Sequence, residues 1–154
     1  TEGRRRLNEQ VHSASPRMQP VTQEAPSVMV PEPLRSYVGD DFDSLKWRAL
    51  GLGAYEVRIP TGDNETTVRL LRIPVGKPVP EHSHGGRELT LVLSGYFVDG
   101  DMKFARGDME DADATVTHTP IAGSDSDCIC LAVTDLPLKF SSWFMRAIQP
   151  ILKI

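Results

Sequence analysis

The sequence predicts an all-β fold, a sandwich or barrel rather than alternating strands and helices, on two observations. Short runs rich in Val, Ile, Leu, Thr and aromatic residues recur from Trp47 onward, and each is closed by Gly, Pro or Asp. No internal repeat competes with that reading, and no apolar run approaches the roughly 18 residues that span a bilayer.

Taken in order, residues 1–36 read as a disordered linker. They hold five prolines (Pro16, Pro20, Pro26, Pro31, Pro33) and scattered Ser and Gln, with neither a 3.6- nor a 2-residue period. Their charges nearly cancel, so Gly3–Arg6 is a small basic knot on a neutral tether. Residues 37–154 read as one globular domain. "YVGDDFDSLKW" suits a loop or short helix. The runs "WRALGLGAYEVRIP", "ETTVRLLRIPV", "ELTLVLSGYFVDG", "ATVTHTPI" and "CICLAVTD" suit strands, with a tight hairpin at Asp99-Gly100. Only "SSWFMRAIQPILKI" has partly helical character, and Pro150 limits it.

Composition narrows the function classes. A net charge of −4 gives no electrostatic footprint for nucleic acid, so direct DNA binding is disfavoured. The basic N-terminal stretch lacks the apolar core of a signal peptide. Two cysteines are too few for a disulfide framework, which points to a reducing compartment and a cytoplasmic location. The chain begins at Thr1 rather than Met, and we read it as a fragment of a longer polypeptide.

Histidine is scarce, four in all, and three of the four fall at strand-like positions near turns: His82, His84 and His118. Strand side chains alternate faces, so His82 and His84 share one side, and Glu88 reaches the same side through Gly85-Gly86. Two imidazoles and a carboxylate on one face suit Zn, Fe, Ni, Mn or Cu. Taken alone, however, an H-x-H is more often a pair of surface histidines.

The spacing adds weight. Gly76, His82, His84, Glu88 and Gly95 match the first cupin motif, G-x5-H-x-H-x3–4-E-x6-G, at every fixed position. In the second motif, G-x5-P-x-G-x2-H-x3-N, Gly107 and His118 are in register, whereas Asp113, Thr115 and Ala122 replace the proline, the second glycine and the asparagine. The chain thus resembles the cupins, which implies a double-stranded β-barrel (jelly roll). "HSHGGRELTLVLSG", "GDMEDADATVTHTPIAG" and "DCICLAVTDLPLKF" further resemble the cupin-like C-terminal domain of the ChrR family of anti-sigma factors, from about Pro33 to the C-terminus.

That resemblance implies zinc held by His82, His84, Glu88 and His118, with Fe(II), Mn or Ni as alternatives. It also implies an extracytoplasmic-function sigma factor as partner, bound by an upstream zinc domain, and a response to singlet oxygen or related oxidants. The family's H-x3-C-x2-C signature does not precede Pro33 here. The chain is then either cut in the linker or a stand-alone relative.

Other residues carry less. Cys128 and Cys130 alternate with Ile129, Leu131 and Val133 and read as buried structural cysteines, poorly placed for a mutual disulfide. Asp108, Glu110, Asp111 and Asp113 read as a solvated turn, lacking the EF-hand ligand order. Arg87 and Glu81 either orient the ligands or face solvent. Met102, Met109, Trp143, Phe144 and Met145 read as packing.

Three function classes remain: a regulatory cupin, a metalloenzyme of the Fe(II) or Mn dioxygenase kind, and a small-ligand-binding module. The linker and the family likeness favour the first. No general base beyond the ligands stands out, which weakens the enzyme reading without removing it. Cupin edge strands also leave a homodimer open.

Overall fold

The computed structural model describes residues 29–51, 53–62 and 65–142. Helix α1 (Glu32–Val38) and a 3-10 turn (Phe42–Ser44) precede the strands. The strands are β1 (Arg48–Gly51), β2 (Ala54–Ile59), β3 (Thr67–Ile73), β4 (His82–His84), β5 (Glu88–Ser94), β6 (Tyr96–Asp99), β7 (Met102–Ala105), β8 (Met109–Ala112), β9 (Thr117–His118), β10 (Ile121–Ala122), β11 (Cys128–Thr134) and β12 (Leu138–Phe140). They form a six-stranded sheet, β1-β2-β3-β11-β5-β8, and two three-stranded sheets, β10-β6-β7 and β12-β4-β9. The all-β cupin fold expected from the sequence is the fold observed.

Alternation explains why the large sheet is buried on both faces. On β11, Cys128 and Cys130 face an inner cluster with Ile73, Val92, Phe97 and Phe104. Ile129, between them, faces an outer cluster with Val30, Phe42, Ile59, Leu70 and Leu93. The inner cluster is the barrel interior that backs the histidines. The outer one is closed by the segment before β1, where Trp47 Nε1–H donates to the Phe42 carbonyl at 2.9 Å.

That cover moves the folded unit back from the expected start at Tyr37 to Met29 at least. Met29 bridges Asp41, and Val30 is fully buried. The prolines that read as linker punctuation do different work here: Pro31 is the N-cap of α1 and Pro33 stands in its first turn, where a missing N–H costs nothing. The run read as "WRALGLGAYEVRIP" is two strands, β1 and β2, joined through Gly53 at φ +86°.

The Asp99-Gly100 hairpin is present, pairing Asp99 with Met102. Two readings change. The acidic run at 108–113 contains a strand, β8, on the edge of the large sheet, and Met102 and Met109 are exposed rather than packed. The helix expected toward the C-terminus, the packing roles of Trp143, Phe144 and Met145, and His12 lie outside the described residues. Among the described residues no helix is long and apolar enough to cross a membrane.

Candidate metal centre

His82 and His84 lie on β4, the middle strand of its sheet, and both point inward with Ser83 between them. His118 on β9 is the register partner of His82. Glu88 opens β5 and faces Thr134 across the ladder with β11. These four residues, all buried, bring ligand atoms within 4.8 Å of one another. The sequence-predicted set thus converges as one cluster able to hold a metal ion.

The tautomers follow from the partners. A carbonyl oxygen only accepts, so the 2.7 Å contact between His82 Nδ1 and the Pro80 carbonyl places the proton on Nδ1. His118 Nδ1–H likewise donates to Asp99 Oδ2 at 2.8 Å. A neutral ring then has only a lone pair on Nε2. Yet His118 Nε2 lies 3.1 Å from His82 Nε2 and 3.1 Å from His84 Nε2. His84 Nε2 can serve as donor to His118, because nothing fixes a proton on its Nδ1, but the lone pairs of His82 and His118 face each other and call for a cation between them, a proton or a metal. Three imidazoles and a carboxylate are a donor set that suits a divalent metal.

Electrostatics separates the ligands. Burial pushes His82 down to about 4, which keeps it neutral. Burial also lowers His84, whose Nδ1 has no hydrogen-bond partner among the described residues and lies 3.8 Å from Glu88 Oε2. For His118 burial pulls downward, but the Glu110 and Asp99 carboxylates beside its Nδ1, the latter accepting its hydrogen bond, outweigh it and raise the imidazole above its ordinary value. Burial raises Glu88, against a hydrogen bond from Thr90.

A cavity of about 70 Å³ adjoins the cluster, lined by His82, Glu88 and His118 together with apolar residues and thiols such as Ile73, Phe97 and Cys130. Cys128 and Cys130 are buried free thiols with Sγ atoms 3.5 Å apart, close to the site without joining the set. Arg87 pairs with Asp111 at the surface, and Glu81 is exposed, so both face away from the ligands. The missing second-motif residues leave a working turn: the Asp113 carboxylate accepts from the Thr115 N–H at 2.8 Å. Asp99 and Glu110, beside His118, read in the sequence as a hairpin residue and as part of a solvated acidic turn, not as members of the site.

The family model for the ChrR cupin-like domain matches residues 37–136, the stretch that carries all four clustered residues. This chain belongs to that family. The ChrR cupin-like domain described here is a homologue of the anti-sigma factor ChrR. It is 48% identical over 124 residues to the anti-sigma-E factor ChrR of Cereibacter sphaeroides, covering 80% of this chain and 58% of that protein.

Among solved structures, it matches the crystal structure of Rhodobacter sphaeroides SigE in complex with the anti-sigma ChrR. The identity there is 47% and the TM-score 0.66, over 74% of this chain and 61% of the other. An RmlC-like cupin protein from Ralstonia eutropha, at 19% identity and TM-score 0.57 over 68% of this chain and 71% of that one, shares the fold alone. The ChrR cupin-like domain thus spans about three fifths of the length of its ChrR relatives.

Proposed function

We propose that this chain is the metal-binding regulatory part of a ChrR-type anti-sigma factor. His82, His84, Glu88 and His118 hold a zinc ion in a closed four-ligand shell. The residues before the cupin domain link it to an upstream domain that binds an extracytoplasmic-function sigma factor in the cytoplasm. Singlet oxygen or a related oxidant acts by modifying or displacing a ligand, which changes how the barrel sits against that upstream domain.

The observation that carries this reading is the meeting of three Nε2 atoms and the Glu88 carboxylate in one buried cluster. Zinc with four protein ligands and no open position has no redox chemistry of its own, which suits a structural or sensory site. The adjoining cavity, about 70 Å³, is far below the roughly 300–1,000 Å³ of ordinary ligand pockets. That size favours regulation over turnover of an organic substrate. The ChrR likeness supplies the sigma-factor partner, since the solved relative is a complex with SigE.

Elemental mass spectrometry with X-ray absorption at the metal edge tests the reading on chain from a metal-balanced host. Near-stoichiometric zinc in a four-ligand N/O shell is expected. Iron or manganese with bound water would overturn it in favour of an oxygen-using cupin enzyme.

A further inference from the structure

The three histidines are held in different ways. His82 is oriented by the Pro80 carbonyl, two residues earlier in the chain and just ahead of its strand. His84 Nδ1 has no hydrogen-bond partner among the described residues. His118 is held from a distance: Asp99 Oδ2 lies 2.8 Å and Glu110 Oε1 3.7 Å from its Nδ1.

The two carboxylates come from different layers. Asp99 ends β6 in the β10-β6-β7 sheet, and Glu110 lies on β8 at the edge of the six-stranded sheet. His118 itself belongs to the third sheet, on a strand of only two residues. Backbone pairing therefore does little to fix its ring, and side chains do the rest. Both carboxylates are mostly buried, 18% and 12% exposed, whereas Met109 and Asp111 on either side of Glu110 face solvent.

We infer that Asp99 and Glu110 are positioning residues of the metal centre. Together they hold the Nδ1–H of His118, present its Nε2 to the metal and tie that ligand to the registration of all three sheets. This inference rests on the metal-site reading above. A carboxylate on the far nitrogen fixes the tautomer and makes the near one a stronger donor, and losing such a partner typically costs 10–100-fold in metal affinity. Asp99, at hydrogen-bond distance, is the primary acceptor. Glu110 is the second, close enough to take the proton if the β6–β7 hairpin shifts.

Two readouts on the same chain test this. In chelator competition with zinc, D99N is expected to bind one ion about 10–100-fold more weakly than wild type, E110Q less so, and D99E to recover part of the loss. In the metal-free chain at alkaline pH, where the ring is neutral, ¹⁵N spectra of the imidazoles are expected to show His118 as the Nδ1–H form in wild type and a mixture in D99N. Unchanged zinc affinity in folded D99N and E110Q would overturn the inference. So would a second zinc per wild-type chain that D99N abolishes, since the carboxylates would then be ligands themselves.

Failure of the metal-site reading looks different: wild type and H118A would bind zinc equally poorly. The spectra would still decide whether Asp99 fixes the His118 tautomer, and an unaltered tautomer in D99N counts against the brace in either case.

Discussion

His82 and His118 stand opposite each other on adjacent antiparallel strands, their Nε2 atoms 3.1 Å apart and their Nδ1–H groups donated to other acceptors. Removing either ring relieves the lone-pair conflict and removes a ligand. For H118A we expect metal occupancy to fall sharply, with affinity down at least tenfold, while circular dichroism still reports a β fold. Elemental analysis of the purified, folded variant checks it. Unchanged occupancy would sink the ligand set.

The same burial makes the metal-free chain sensitive to acid. His82 is held down to about 4 from an ordinary 6.5, so between those values the unfolded chain takes up a proton that the native ring refuses. Its contribution to stability is full above 6.5 and is lost as pH falls toward 4, by about 3 kcal/mol. His84, lowered by burial, acts in the same direction. Glu88 and His118 are raised, so their contributions are present at low pH and fade as pH rises. Comparing wild type with H82Q isolates His82: urea midpoints at pH 6.5 and 5 should separate in wild type and draw together in the variant. Equal pH dependence in both chains would rule this out.

Glu56 is a buried charge on β2, 1% exposed, among Arg48, Arg58 and Arg69. Arg69 is buried too and reaches Thr134 Oγ1 at 3.3 Å, on the residue that pairs with Glu88 across the β5–β11 ladder. Neutralising Glu56 leaves buried guanidinium without its counterion, so E56Q should cost about 3–5 kcal/mol. The Arg87–Asp111 pair is exposed at both ends and screened by solvent, so R87A should leave the urea midpoint close to that of wild type. Urea denaturation of both variants measures the contrast, and similar losses would argue against a buried network.

The thiols give a reactivity prediction. Hydrogen bonding with Cys128, followed by burial, pushes Cys130 well above the usual thiol value. The thiolate is the reactive species. Alkylation of the native chain by iodoacetamide should therefore be slow at pH 8 and at least tenfold faster in denaturant. Fast labelling of the native chain would show that the cavity beside the metal cluster opens to solvent.

What the sequence disclosed and what it hid differ physically. His82, His84, Glu88 and His118 could be read because alternation and motif spacing are local properties, and the strands obey them. Glu110 was hidden because β8 carries charged or exposed residues on its outward positions, so its one inward carboxylate looked like part of a solvated turn. Asp99 was read only as half of a turn dipeptide, since its bond to His118 spans 19 residues and two sheets. The segment at 29–36 lacked a period because it contributes one buried valine and a helix with no buried residue.

The motif glycines give a last contrast. Gly76 and Gly95 both have positive φ, +66° and +68°, where only glycine is unstrained. A Cβ on Gly76 meets nothing within 4 Å, so G76A should cost only the left-handed backbone penalty, about 1–2 kcal/mol. A Cβ on Gly95 would sit 2.4 Å from the Asp127 carbonyl oxygen. Asp127 cannot easily retreat, because its carboxylate accepts from Arg72 Nε at 2.8 Å and the Val75 N–H at 3.1 Å. The strain must then pass into the β5–β11 ladder, which is already irregular at Ile129–Cys130 and carries Glu88 at its other end. G95A should therefore lose at least about 2 kcal/mol more than G76A, and it should also weaken zinc binding, which G76A leaves intact. Equal urea midpoints for the two variants would show that the close approach at Gly95 does not set the register of the metal-bearing strand.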